Sequence, residues 1–114
     1  MAKITSHVLD SIEGDHAAGI RISLVEISDD FRAVVFDVVA NEQGRIEETV
    51  DVKAGARYEL NFHASDYFRA KGTHPDGRQI IDEVVIRLSM PDPDERYHIP
   101  VMMAPHAYSL WWSK

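Results

Sequence analysis

The chain has 114 residues, with 19 Asp and Glu against 12 Lys and Arg, a formal net charge of −7. One domain of ordinary size accounts for that length, so 1–114 is read as a single domain with enough chain for one sizeable core. The absence of cysteine excludes disulfides, cysteine-bearing zinc sites, iron–sulfur clusters and thiol catalysis. An acidic chain without a basic run lacks the footprint of nucleic-acid or anionic-membrane binding, so neither is expected as a partner. The opening Met1–His7 has no apolar run of signal-peptide length and no spanning stretch follows, which points to the cytoplasm.

In chain order, the periodicity is that of strands. Ile4, Ser6 and Val8 alternate with Thr5, His7 and Leu9. Over Ile20–Ile27, Ile20, Ile22 and Leu24 share one face. Arg32–Ala40 is a third strand between the turn-forming stretches Ser28-Asp29-Asp30 and Asn41-Glu42-Gln43-Gly44. Arg45–Val52 is a fourth, and Arg57–His63, with Tyr58, Leu60 and Phe62 on one face, a fifth. Ala64–Gly72 breaks the pattern as a short helix. Ser65 is its expected cap, Phe68 its core residue and Gly72 its terminating glycine. Thr73–Arg78 and Pro91–Asp94 read as loops. Ile80–Leu88, Tyr97–Met103 and Ala107–Trp112 complete eight short strands. That pattern predicts an all-β sandwich or barrel.

Six histidines stand at 7, 16, 63, 74, 98 and 106, with no pair at metal-ligand spacing on one element. His16, His63 and His74 lie near turns or strand ends and read as solvated surface residues, as does His106 after Pro105. His7 and His98 are mid-strand. Spacing alone reads either as a structural histidine, and the two become a pair only if their strands are neighbours. Converged, they would still make a weak zinc site, because catalytic zinc usually has three protein ligands. Arg45, after Gly44, is either a solvated strand-start arginine or a guanidinium fork suited to a carboxylate, an imide oxygen or an oxyanion. The chain closes on Tyr108-Ser109-Leu110-Trp111-Trp112-Ser113-Lys114. On a strand the adjacent tryptophans face opposite sides, so one can fill the core while the other meets an interface or a ligand.

These residues carry a resemblance. Ile4-Thr5-Ser6-His7-Val8-Leu9-Asp10 is similar to the first strand of the transthyretin-related 5-hydroxyisourate hydrolases. Asn41–Arg45 resembles that family's Asp-Gly-Arg turn. Tyr58–Phe62 followed by Asp66-Tyr67-Phe68 looks like its strand-then-helix segment. Tyr97–Pro105 with Ala107-Tyr108-Ser109 resembles its His-Val-Pro-Leu-Leu-Leu-Ser-Pro and Gly-Tyr-Ser signature. The resemblance implies a transthyretin-like β-sandwich of two four-stranded sheets with one short helix. It also implies a homotetramer built as a dimer of dimers, sites in the channel between the dimers, and a place in purine metabolism. It gives the catalytic roles to His7, Arg45 and His98, with no metal or organic cofactor needed. Water attacks a ring carbonyl of a cyclic ureide; one of the two histidines is the general base, and Arg45 holds substrate oxygens.

The family's terminal Tyr-Arg-Gly-Ser is replaced here by Trp111-Trp112-Ser113-Lys114, and its His-Tyr-His by Arg96-Tyr97-His98. Ser109, Trp111, Trp112 and Lys114 are the expected substrate-binding residues. The expected partner is a small heterocyclic substrate. A paralogue acting on another heterocycle and a non-catalytic binding protein are the alternatives.

Overall fold

The computed structural model describes residues 1–73 and 79–114. Among them are β1 (Ala2–Asp10), β2 (Asp15–His16), β3 (Arg21–Ile27), β4 (Arg32–Val39), β5 (Arg45–Val50), β6 (Arg57–Phe62), α1 (Ala64–Lys71), β7 (Val84–Leu88), β8 (Arg96–His98), β9 (Val101–Ala104) and β10 (Ala107–Leu110). One sheet runs β4-β3-β6-β7, antiparallel throughout. The other holds six strands and is organised around β1. β5 and β2 pair antiparallel with the two ends of β1 along one side, while β8 and β9 pair parallel with it along the other. The parallel register never slips: Thr5 faces His98 and Val8 faces Val101, with the same sequence separation of 93 seen in the Ser6 hydroxyl's hydrogen bond to the Ile99 carbonyl. The six segments are therefore four rows. The sandwich of two four-stranded sheets expected from the resemblance stands, with two of its strands interrupted.

Both sheets press apolar faces together. Ile4, Val8, Ile22, Leu24, Tyr58, Leu60, Phe62, Val101 and Met103 are essentially inaccessible; among them, Ile22 with Leu24 and Tyr58 with Leu60 and Phe62 are sets that period-two alternation placed on one face. Phe68 on α1 closes one end of this core. Asp10, 1% exposed, ties β1 to the helix: its carboxylate accepts the backbone N–H groups of Ile12 and Glu13 and the Tyr67 hydroxyl at 2.9 Å. Burial and that carboxylate push the Tyr67 phenol well above its ordinary pKa.

Three segments depart from the sequence reading. The predicted strand Tyr97–Met103 is split at Ile99-Pro100, because Pro100 has no N–H to give the ladder. The predicted strand Ile80–Leu88 begins only at Val84. Residue 82 instead serves the helix: Asp82 takes the Ser65 backbone N–H on its carbonyl and the Ser65 hydroxyl on its carboxylate at 2.8 Å. Ser65 is for that reason not the cap. The N-cap is His63, without a side-chain cap bond, and Asp82 satisfies a first-turn donor from outside. Gly72 does end the helix in the left-handed region, as expected. The loop expected over Thr73–Arg78 falls mostly outside the described residues.

Gly44 governs the site's scaffold. It sits at φ +70°, and a Cβ there would lie 2.4 Å from the Val8 carbonyl oxygen. Substituting alanine forces both a strained φ and a backbone clash, so Gly44→Ala is expected to cost about 2 kcal/mol or more, roughly 8 °C of Tm. Gly55→Ala, where φ is +76° but nothing lies within 4 Å, should cost about half of that. Thermal melts of the two variants side by side check this difference.

Candidate active site

The turn before β5 is built by Asn41. Its side-chain oxygen accepts the N–H groups of Gln43 and Arg45 at 2.9 and 3.0 Å, and Gly44 returns an N–H to its carbonyl. This is the Asx-turn chemistry that the residue types announce. The Gly44 carbonyl then accepts the Val8 N–H at 2.8 Å, which locks the turn onto β1 and sets Arg45 directly across from His7. On the other side of β1, Thr5 faces His98. Cross-strand partners share a face and alternate residues along a strand return to it. Thr5, His7, Arg45 and His98 thus all lie on the outer face of the β1 sheet, with Arg45 and His98 in rows flanking β1, about 10 Å apart at two strand spacings.

Each imidazole has a partner. The Thr5 hydroxyl is 2.8 Å from His98 Nδ1. His7 Nε2 is 3.0 Å from His16 Nδ1, their ring centroids 5.1 Å apart. Burial, then the Arg45 guanidinium, then His16 and His98 hold His7 below the usual histidine pKa, with the Gln43 backbone carbonyl acting in the opposite sense. Burial, Arg45 and Arg96 lower His98 in the same way, against the contrary effect of Thr5. Both rings are therefore neutral near pH 7 and able to accept a proton. Among the described residues no carboxylate pairs with Arg45, so its fork is available to a ligand. A cleft of about 290 Å³ opens beside it, walled by Thr5, Asn41, Glu47 and Arg96.

The C-terminal residues divide between two faces. The β9–β10 register continues past Leu110, with the Trp111 N–H on the Pro100 carbonyl and two backbone bonds joining Ser113 to His98. Alternation then puts Ser109, Trp111 and Ser113 on the face of His7 and His98. Trp111 is 48% exposed there. Trp112 and Lys114 are not brought to that face. They line a separate cleft of about 550 Å³ with Ile86, Leu88, Tyr97 and Leu110, at the open edge between the sheets. The Lys114 ammonium reaches Glu95 at 3.1 Å.

The surface reading of the other histidines holds for His16 and His106 and needs correction for His63. His16 is exposed but hydrogen-bonded to His7. His63 is half-buried, with Nε2 3.2 Å from the Ser23 hydroxyl and Nδ1 3.3 Å from Glu83, and it pins the helix start to β3. His106 is exposed as expected, and His74 lies outside the described residues. Thr5, Ser113 and His16 were missed as site residues. For Thr5 and Ser113 the available signal was their alternation with His7 and Trp111; for His16 nothing local marked the two-residue strand that turns it toward His7. Among the described residues no three His, Asp or Glu side chains are grouped as a metal site.

Imidazoles and a guanidinium on one outer face of a two-sheet sandwich are groups capable of acid–base chemistry on a small molecule. The model described as the HIUase/Transthyretin family matches residues 4–112, and the chain belongs to that family. It is 37% identical over 112 residues to 5-hydroxyisourate hydrolase of Deinococcus radiodurans, covering 95% of this chain and 92% of that one. It is 35% identical to 5-hydroxyisourate hydrolase 2 of Rhizobium meliloti, covering 96% and 93%. Its fold matches the structure of Klebsiella pneumoniae 5-hydroxyisourate hydrolase with a TM-score of 0.82 over all of both chains, at 24% identity. It also matches (S)-allantoin synthase with a TM-score of 0.83 at 31% identity, spanning 99% of this chain but 44% of that longer one.

Because burial and cationic neighbours lower both rings, His7 and His98 should titrate below 6.5 by NMR, and Arg45→Gln should move both upward. The linked stability has a definite sign. Above pH 6.5 the rings are neutral in both folded and unfolded chains and contribute nothing. As pH falls from 6.5 through the folded values the unfolded chain binds protons first and stability drops, which denaturant melts across that window would show.

Proposed function

We propose that the protein is a hydrolase that opens the ring of 5-hydroxyisourate or of a close cyclic ureide, a cytoplasmic step of purine metabolism carried out by a single transthyretin-like domain without a cofactor. The observation that carries this reading is the placement of His7, Arg45 and His98 on one sheet face of a family whose compared relatives are 5-hydroxyisourate hydrolases.

The hydrogen bonds favour a division of labour. If His98 donates Nδ1–H to the Thr5 hydroxyl, its Nε2 lone pair is left to take a proton from the attacking water. His7 delivers a proton to the departing ring nitrogen. Arg45 stabilises the oxyanion as the carbonyl becomes tetrahedral, a contribution of about 2.7–4 kcal/mol for one preorganised donor. Water's hydroxyl stays on carbon, its proton leaves through His98, and the product is a carboxylic acid that ionises.

Trp111 supports a second reading. An exposed indole on the site face, in place of the family's terminal tyrosine, suits a flatter and more aromatic heterocycle. The expected result is acceleration of the ultraviolet decay of freshly made 5-hydroxyisourate, with His98→Ala and Arg45→Ala each slowing it by about 10²–10³-fold. No acceleration over buffer, with turnover of another member of a lactam, imide and hydantoin panel, would replace the first reading by the second. Uniform inactivity, with binding that survives His7→Ala and His98→Ala, would leave a binding protein.

The site lies on an open sheet face and needs a further wall. A homotetramer arranged as a dimer of dimers, with sites in the channel between dimers, supplies one, and the exposed Met102 and Trp111 on that face give the contact apolar area. Light scattering should return a mass four times that of the 12.9 kDa chain, and a monomer at micromolar concentration would rule the arrangement out.

A further inference from the structure

We propose that His16 is the proton relay of His7, an exposed second imidazole that carries protons between the site and bulk water. This rests on the hydrolase reading and adds to it a residue outside the His7, Arg45 and His98 set.

The geometry comes from two short elements. β2 consists of Asp15 and His16 alone, and pairs Leu9 with His16. His7 is two residues before Leu9 and so shares its face, which makes His7 and His16 diagonal neighbours across the strand pair. Gly44 is what lets them meet: a Cβ there would sit 3.5 Å from His16 Cβ and 3.1 Å from the Ala17 nitrogen. The closeness is a hydrogen bond, with 3.0 Å between His7 Nε2 and His16 Nδ1. One ring must donate and the other accept, so the pair holds its shared proton in one of two places and does not readily become doubly charged.

The groups facing His7 leave few routes for a proton. Arg45 from β5 cannot release one, His98 from β8 is engaged on the water side, and the Gln43 carbonyl only accepts. Among the described residues, His16 is the titratable side chain that is both hydrogen-bonded to His7 and exposed to solvent. When His7 gives the proton on Nδ1 to the leaving nitrogen, Nε2 recovers one from His16 Nδ1, and His16 takes its replacement from water. The proton that His98 removed from the attacking water returns to bulk, and the proton lost as the carboxylic acid product ionises runs the relay in reverse, entering at His7 Nδ1 and leaving from His16 to water, so both rings regain their starting tautomers as one amide bond is hydrolysed and one carboxylate released. His16 touches no reacting atom and is a positioning and relay residue.

The test is His16→Gln, which keeps a side chain of similar reach but cannot titrate. In dilute buffer its kcat on 5-hydroxyisourate should fall by about 10-fold with KM within about twofold, and millimolar imidazole should restore it while leaving wild type unchanged. Removing the cationic form of His16 should also move the NMR titration of His7 upward. An unchanged kcat in dilute buffer, or a loss that imidazole does not restore, overturns the relay. Inactive wild type would overturn the hydrolase reading instead. In that event the titration arm decides alone: a His7 curve that moves in His16→Gln supports the coupled pair, and one that stays in place refutes it.

Discussion

The contact between Gly44 and Val8 is the constraint on which the site depends. Gly44 lies against the Val8 carbonyl while its own carbonyl takes the Val8 N–H, so the turn and the central strand are fastened in both directions. Ala17 donates to the same Val8 carbonyl at 2.9 Å, so β2 is held at the same point. Arg45, His7 and His16 follow one after another from that junction. A side chain at position 44 would push the turn from β1 and separate all three.

The protein is acidic overall, yet the face of the β1 sheet gathers Arg45, Arg96, His7, His16 and His98. Net charge and local field thus point in opposite directions. The guanidinium groups set that field: they lower the pKa of both imidazoles and favour their neutral form. The second sheet spends its charges differently. Arg21 pairs with Asp37, and Arg32 and Arg87 converge on Glu59, so these three arginines are bound within the sheet.

The C-terminus shows how one proline shapes what a sequence change can do. Pro100 interrupts the ladder but not the register, and Ser113 still meets His98 in two backbone bonds. The tryptophans therefore stay in alternation although no strand is formed through them. Trp111 joins the site face and Trp112 the edge cleft. The two tryptophans therefore meet different surfaces, and of them only Trp111, with Ser113, shares the face of His7 and His98.

Much of the fold was legible in the sequence, because alternation is a local property set by the pleat. Tyr58, Leu60 and Phe62 face inward for the same reason that His7 and Thr5 face outward, and Gly72 ends the helix where a left-handed residue was needed. The resemblance named His7, Arg45 and His98, and alternation already placed Trp111 and Trp112 on opposite sides. Which residues stand across from one another was decided elsewhere, since register comes from pairing between segments as far apart as Thr5 and His98. Only the folded sheet could set Thr5 against His98, bring His16 to His7 through a two-residue strand, and send residue 82 to the helix instead of the strand. The sequence by itself determined which face each side chain takes; the tertiary structure determined its neighbours, because hydrogen-bond partners and local fields arise from chain segments that meet only on folding.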